Sequence, residues 1–178
     1  MMHIVLTGTE STFKSSLAVA IADEFNIPLL EEYARLYLDG QTEPIELQPM
    51  ERKHYDRIER GQIQSQKAMG YFEKGQPVVF DTDGVVLYLW KKDKYGEVDA
   101  ALLDVPKHIV YLFCRANVEA VEDALRVDGH RRVELDQKYQ EVLQDLDNTI
   151  VELDAPSFEE RKEQAIESLH ALGFTRYD

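Results

Sequence analysis

The sequence predicts an α/β fold, a parallel sheet of about five strands covered by helices on both faces. Three observations carry that prediction. Short, largely apolar runs recur along the 178 residues, at 3–7, 27–30, 77–80, 108–113 and 149–153. Between them lie stretches with apolar residues every three or four positions, the spacing of one helix face. The runs are continuous rather than alternating, as expected of strands buried on both sides.

Residues 3–7 (HIVLT) read as the first strand. In 14–25, Leu17, Ala18, Ile21, Ala22 and Phe25 fall on one helical face. Residues 27–30 read as a second strand and 31–38 (EEYARLYL) as a helix. Gly40, Pro44 and Pro49 mark 39–49 as a long surface loop. Residues 50–75 predict a long helix with Tyr55, Ile58, Met69 and Phe72 on one face, although Gln62 and Ser65 make its centre polar. A third strand (PVVF) ends at Asp81, and 84–94 reads as helical or mixed. After the fourth strand, helices are expected at 118–126 and 134–147, with VDGHRR as a loop between them. The fifth strand (TIVEL) precedes a helix opened by a capping box, Ser157 and Glu160, and closed by Gly173. No internal repeat interrupts the pattern, so residues 1–178 are expected to form one domain.

Composition narrows the function. The 34 acidic residues outnumber 20 basic ones, giving a net charge of −14. Nucleic acid and anionic membranes both call for basic footprints, so neither is an expected partner. A local phosphate site is still compatible with that field. Cys114 is the sole cysteine, which excludes an internal disulfide and a cysteine-based zinc site. The five histidines show no close ligand spacing. The longest apolar runs, 85–90 and 109–114, are six residues each, too short to span a bilayer. MMHIVLTGTES has no basic stretch followed by an apolar one, so no signal peptide is expected and a cytoplasmic setting is. Nothing in the sequence speaks to oligomeric state.

In a sheet of this kind ligands bind at the carboxyl ends of the strands, and those ends carry the chemistry. After the first strand, 8–15 (GTESTFKS) matches G-x-x-x-x-G-K-[ST] except that Phe13 replaces the second glycine. Backbone amides of such a loop curl round phosphates at the positive end of the next helix. Gly8, Ser11, Thr12, Phe13, Lys14, Ser15 and Ser16 are therefore expected to bind the phosphates. Lys14 would neutralise them and Ser15 would face Mg²⁺. A β-carbon resists positive φ, so the loop accommodates Phe13 if that position is helical.

Asp81-Thr82-Asp83 follows the third strand. One reading gives these carboxylates a metal, a substrate hydroxyl or a proton to hold. The other makes them the cap of the next helix. At the second strand end stand Glu31, Glu32, Tyr33 and Arg35. Glu32 suits a base or a hydroxyl and Arg35 a phosphate, while an ordinary first helical turn explains them equally well. Arg126, Arg131 and Arg132 flank Gly129 in a candidate lid at about 126–133, where mobile arginines would stabilise a transferred phosphoryl group. Tyr33, Tyr37, Tyr88 and Trp90 suit either a ring-stacking pocket or the core.

Together GTESTFKSSLA, EEYARLYL, VVFDTDGVV, EDALRVDGHRR and TIVELDAPSFEERKEQA resemble the ribosylnicotinamide kinase domain of NadR-type proteins, within the small AAA-like P-loop ATPases. The likeness runs from Ile4 to Leu172. It implies a P-loop kinase-type three-layer sandwich, ATP with Mg²⁺, and phosphorylation of a ribonucleoside 5′-hydroxyl, nicotinamide riboside in the namesake, in NAD salvage. Carried over by position, Gly8, Ser11, Thr12, Lys14 and Ser15 would hold ATP. Asp81 and Asp83 would serve Mg²⁺ and the nucleoside, and Arg126 and Arg132 would belong to the lid. Phe13 departs from the family's glycine. The chain opens directly at the kinase strand, so adenylyltransferase and DNA-binding parts are not expected.

The expected function is transfer of the γ-phosphoryl of ATP to a small nucleoside. Lys14, Asp81, Arg126 and Arg132 would be catalytic, and Asp81, or less readily Glu32, would take the proton. Glu32, Tyr33, Arg35, Asp81, Asp83 and Trp90 would bind substrate. Ser15 and Asp83 would hold the metal, and Arg131 would bind ATP. The alternative is a nucleotide-binding regulator, or a P-loop ATPase without nucleoside kinase activity.

Overall fold

The computed structural model describes residues 2–42, 45, 50–118 and 131–177. Five parallel strands, β1 (His3–Thr7), β2 (Leu29–Leu30), β3 (Val79–Asp81), β4 (Ile109–Cys114) and β5 (Thr149–Leu153), pair in the order β2-β3-β1-β4-β5. Six helices belong to the described residues: α1 (Lys14–Phe25), α2 (Tyr33–Asp39), α3 (Arg52–Ala68), α4 (Gly84–Tyr95), α5 (Arg132–Gln144) and α6 (Phe158–Ala171). None of the described helices is long and apolar enough to cross a membrane.

The side-chain alternation of the strands builds two cores. Ile4 and Leu6 of β1, with Val110, Leu112 and Cys114 of β4, face α1 and α6. Val5, Tyr111 and Phe113 face the other way, toward α4 and α5. Both sets are apolar, so the strands show no binary pattern in sequence. A third cluster, including Ala34, Ile58 and Leu87, joins α2, α3 and α4.

Some boundaries differ from the expectations, each for a local reason. β2 is shorter than 27–30 because the Ile27 amide closes the end of α1 on Ala22 O at 3.0 Å and Pro28 has no amide to donate. The long helix stops at Ala68 because Gly70 turns left-handed (φ +79°) and Tyr71 N–H returns to Gln66 O. Met69 and Phe72 therefore leave the α3 face, and Phe72 is exposed. Residues 84–94 are fully helical. The last helix begins as expected, with Ser157 Oγ accepting from Glu160 N. The helix expected at 118–126, most of the lid and much of the 39–49 loop lie outside the described residues.

Candidate active site

β1 is central in the sheet, and its end releases the chain into residues 8–13. This segment turns through positive φ at Gly8 (+127°), Ser11 (+56°) and Phe13 (+69°). A β-carbon at Gly8 would lie 2.4 Å from the Cys114 carbonyl oxygen, so only glycine fits against β4. Phe13 is not helical, as a tolerated phenylalanine was expected to be. It adopts the left-handed conformation that a glycine would take, immediately before α1. Its ring packs on Phe158 with centroids 5.9 Å apart. α1 has no side-chain cap. Its first amides, like those of any helix, have no intrahelical partner, an arrangement that suits an anion. Lys14 Nζ folds back onto the Thr9 carbonyl, and Thr12 Oγ1 donates to the same oxygen at 2.8 Å.

Gly8 to Ser16 form one wall of a cavity of about 350 Å³, a volume suited to a small organic ligand. Apolar side chains, among them Leu38, Met50, Ile58, Leu89 and Trp90, also line it. Glu32, at the α2 N-cap, and Arg35 line the same cavity. The structure thus brings Lys14, Ser15, Ser16, Glu32, Arg35 and Trp90 to one cavity.

Asp81 is set beside Leu6 by strand register. It is 4% exposed and does not line the cavity, which departs from its expected contact with substrate and proton. Burial raises its pKa, opposed by the Ser15 hydroxyl and the charges of Lys14 and Arg35. Its Oδ1 is buried without a hydrogen-bond partner. An orphaned carboxylate oxygen beside a serine hydroxyl fits Mg²⁺ held partly through water. No group of three or more His, Cys, Asp or Glu that could hold a metal occurs among the described residues.

Asp83 departs further from the expectation of a metal and substrate ligand. It is 0% exposed. Its Oδ2 accepts from Tyr71 Oη at 2.8 Å and Tyr111 Oη at 2.5 Å, and its Oδ1 caps α4 through Val85 N at 3.0 Å. The capping reading of D-T-D therefore describes Asp83, whose oxygens point into the core. Tyr33 is also away from the cavity. Its ring lies on α3, where a β-carbon at Gly61 would come within 2.1 Å of it. Its amide donates to Gln62 Oε1 at 2.9 Å, which accounts for one polar residue in the middle of α3.

Of the lid arginines, Arg126 lies outside the described residues. Arg131 pairs bidentately with Asp93 at 2.8 Å and also with Glu134. The Arg131 and Lys138 hydrogen bonds hold the Asp93 carboxyl well below the usual range. Arg132, expected at the transferred phosphoryl group, is instead buried and donates to the Glu10, Ser11 and Val118 carbonyls.

Three participants escaped the sequence reading. Asp93 and Lys138 reach the cavity edge; Val86, Leu89, Trp90 and Asp93 share one face of α4, a spacing that could have revealed Asp93. Arg161, fully buried, donates to Thr12 O at 3.3 Å. Its signal was a charged residue in register with Ala165 and Leu169 on the buried stripe of α6.

Residues 3–161 match the family described as an AAA domain. No curated protein matches the chain. Among solved structures, NadR protein in complex with NR is similar with a TM-score of 0.75 at 20% identity, over 99% of this chain and 53% of that one. NadR in complex with NAD and AMP-PNP gives 0.72 at 21% identity, over 99% and 51%. The chain thus spans about half the length of these relatives. Deoxyadenosine kinase from M. mycoides with bound dATP gives 0.68 at 14% identity, over 96% of this chain and 100% of that one. These likenesses show a shared fold, the one expected from the sequence.

Proposed function

Since the chain belongs to the AAA domain family, we propose that it is an ATP-dependent kinase that phosphorylates a small nucleoside. The observation carrying this reading is the shared cavity, lined at once by a phosphate-type loop, by apolar side chains with Trp90, and by Glu32 and Arg35. A triphosphate calls for the first, a flat heterocycle for the second and a sugar hydroxyl for the third. The folds solved with NR, with AMP-PNP and with dATP support the same class. Nicotinamide riboside, in an NAD salvage reaction, is the first acceptor to test.

A bound Mg²⁺ would supply positive charge to offset that of the phosphates. Ser15 and Asp81 are the residues that would hold it. Lys14 moves from the Thr9 carbonyl to the β and γ phosphates, and the amides of 11–16 bind phosphate oxygens. Glu32 takes the proton of the attacking hydroxyl, because it lines the cavity and Asp81 does not. Arg35 orients the acceptor. Arg131 closes over the transferred group by leaving its carboxylate partners.

The test is ADP release with ATP·Mg²⁺ and a panel of nucleosides that includes nicotinamide riboside. Nucleoside-dependent release is the expected outcome. Release independent of any nucleoside would make the protein an ATPase, and binding without release a regulator; either overturns the kinase reading.

A further inference from the structure

The carbonyls of Glu10, Ser11 and Thr12 all point away from the cavity, onto two buried arginines. Arg132 of α5 donates through Nε to Glu10 O at 3.2 Å and through Nη2 to Ser11 O at 3.0 Å. Arg161 of α6 donates through Nη1 to Thr12 O at 3.3 Å. A peptide unit is planar, with its C=O and the following N–H antiparallel. Fixing those three carbonyls outward therefore turns the amides of Ser11, Thr12 and Phe13 inward, where a phosphate would lie.

Arg161 does more than accept this geometry. Its guanidinium is 0% exposed. Four oxygens meet it, those of Ala155, Thr12, Arg115 and the Asn117 side chain, and none is a carboxylate. Its Cζ also stands 5.9 Å from the Phe13 ring centroid, and Phe158 meets that ring edge-on. One planar cation thus holds the carbonyl before Phe13 and the side chain of Phe13 itself. A phenylalanine at φ +69° is strained, and the same arginine anchors the side chain that carries the strain.

We propose that Arg132 and Arg161 are positioning residues of the phosphate loop, and that the Phe13 ring, clamped by Arg161 and Phe158, replaces the freedom of a glycine with a rigid, pre-shaped nest. This rests on the phosphate-binding reading above. It assigns the departure at Phe13 a purpose: the loop is set before the anion arrives, which lowers the ordering cost of binding. It also moves Arg132 from the reaction to the scaffold.

The test measures dissociation constants for ATP·Mg²⁺ and inorganic tripolyphosphate by calorimetry, with melting temperatures of the ligand-free proteins. Phe13→Gly relieves the backbone strain and still folds, yet is expected to bind both probes about tenfold more weakly, the cost of a loosened nest. Arg161→Lys keeps the charge and loses the fork, and is expected to weaken binding similarly. The double variant is expected to be little weaker than either single one, because ring and guanidinium act as a unit. KM for ATP should rise while KM for the nucleoside holds. Equal or tighter binding by Phe13→Gly overturns the inference, as does full rescue of affinity by lysine at 161. Should Arg161→Lys fail to fold, Phe13→Gly decides alone. If the wild type binds neither probe, the phosphate-site reading fails first and takes this inference with it.

Discussion

Lys14 rests on the Thr9 carbonyl within the loop it is proposed to serve, so phosphate binding trades one oxygen partner for others. Lys14→Ala should leave the melting temperature nearly unchanged and lower kcat by at least ~10²-fold, the scale of losing one preorganised charge donor; assay and thermal scan together check this. His3 has a different role. It is buried at the opposite end of the sheet, where Nδ1 accepts from Val78 N and Nε2 donates to Glu73 O, the neutral tautomer. Burial, with the nearby His108 charge, lowers its pKa from the ordinary 6.5. A lowered histidine pKa favours the neutral form in the native state, so its stability is intact above 6.5 and is lost as pH falls from there through the native value. Denaturant titrations from pH 7.5 to 5 should show that loss, and His3→Gln should flatten it. Burial raises the pKa of Asp81 and Asp83, which acts in the opposite sense at lower pH, so the difference between wild type and variant is the quantity to read.

Among elements, α4 is fastened through a residue expected from sequence to serve metal and substrate. Asp83 ties its first turn to Tyr71 beyond α3 and to Tyr111 of β4. Asp83→Ala would strand two phenols and one amide in the core, and should cost about 3–5 kcal/mol, as for other buried networks broken from one side; calorimetric unfolding measures it. Because α4 also carries Leu89, Trp90 and Asp93 to the cavity, the variant should lose acceptor binding as well as stability. Strand ends, the turn after the first strand and the capping box were legible because local spacing encodes them. The fate of D-T-D was not, since two carboxylates two residues apart look alike until the sheet sends one toward Ser15 and the other toward two tyrosines. The burial of Arg132 was hidden for a similar reason: a loop rich in arginine looks mobile, and only the packing of α5 against 10–11 buries one of its members.

Across the molecule, the strand order could not be read from the sequence. Apolar runs mark strands without naming neighbours, and β1 sits between β3 and β4 although β2 follows it in the chain. That central place joins the loop of 8–13 to Asp81 on one side and Cys114 on the other. The cavity needed the same step, because its walls come from segments as distant as Gly8 and Tyr139. Charge acts at this scale too. With a net charge of −14, self-repulsion opposes the compact state. Raising NaCl from about 10 to about 150 mM shortens the screening length from ~30 to ~8 Å and should raise the melting temperature; a fall would show that local ion pairs such as Arg131–Asp93 outweigh the global field.

Arg161 reaches back 149 residues to Thr12. During synthesis, which runs from the amino terminus, residues 8–15 leave the ribosome well before Arg161 is made. A nascent chain stalled before α6 would carry the whole motif without the side chain that fastens it, and on the inference above would grip triphosphate poorly until α6 is made.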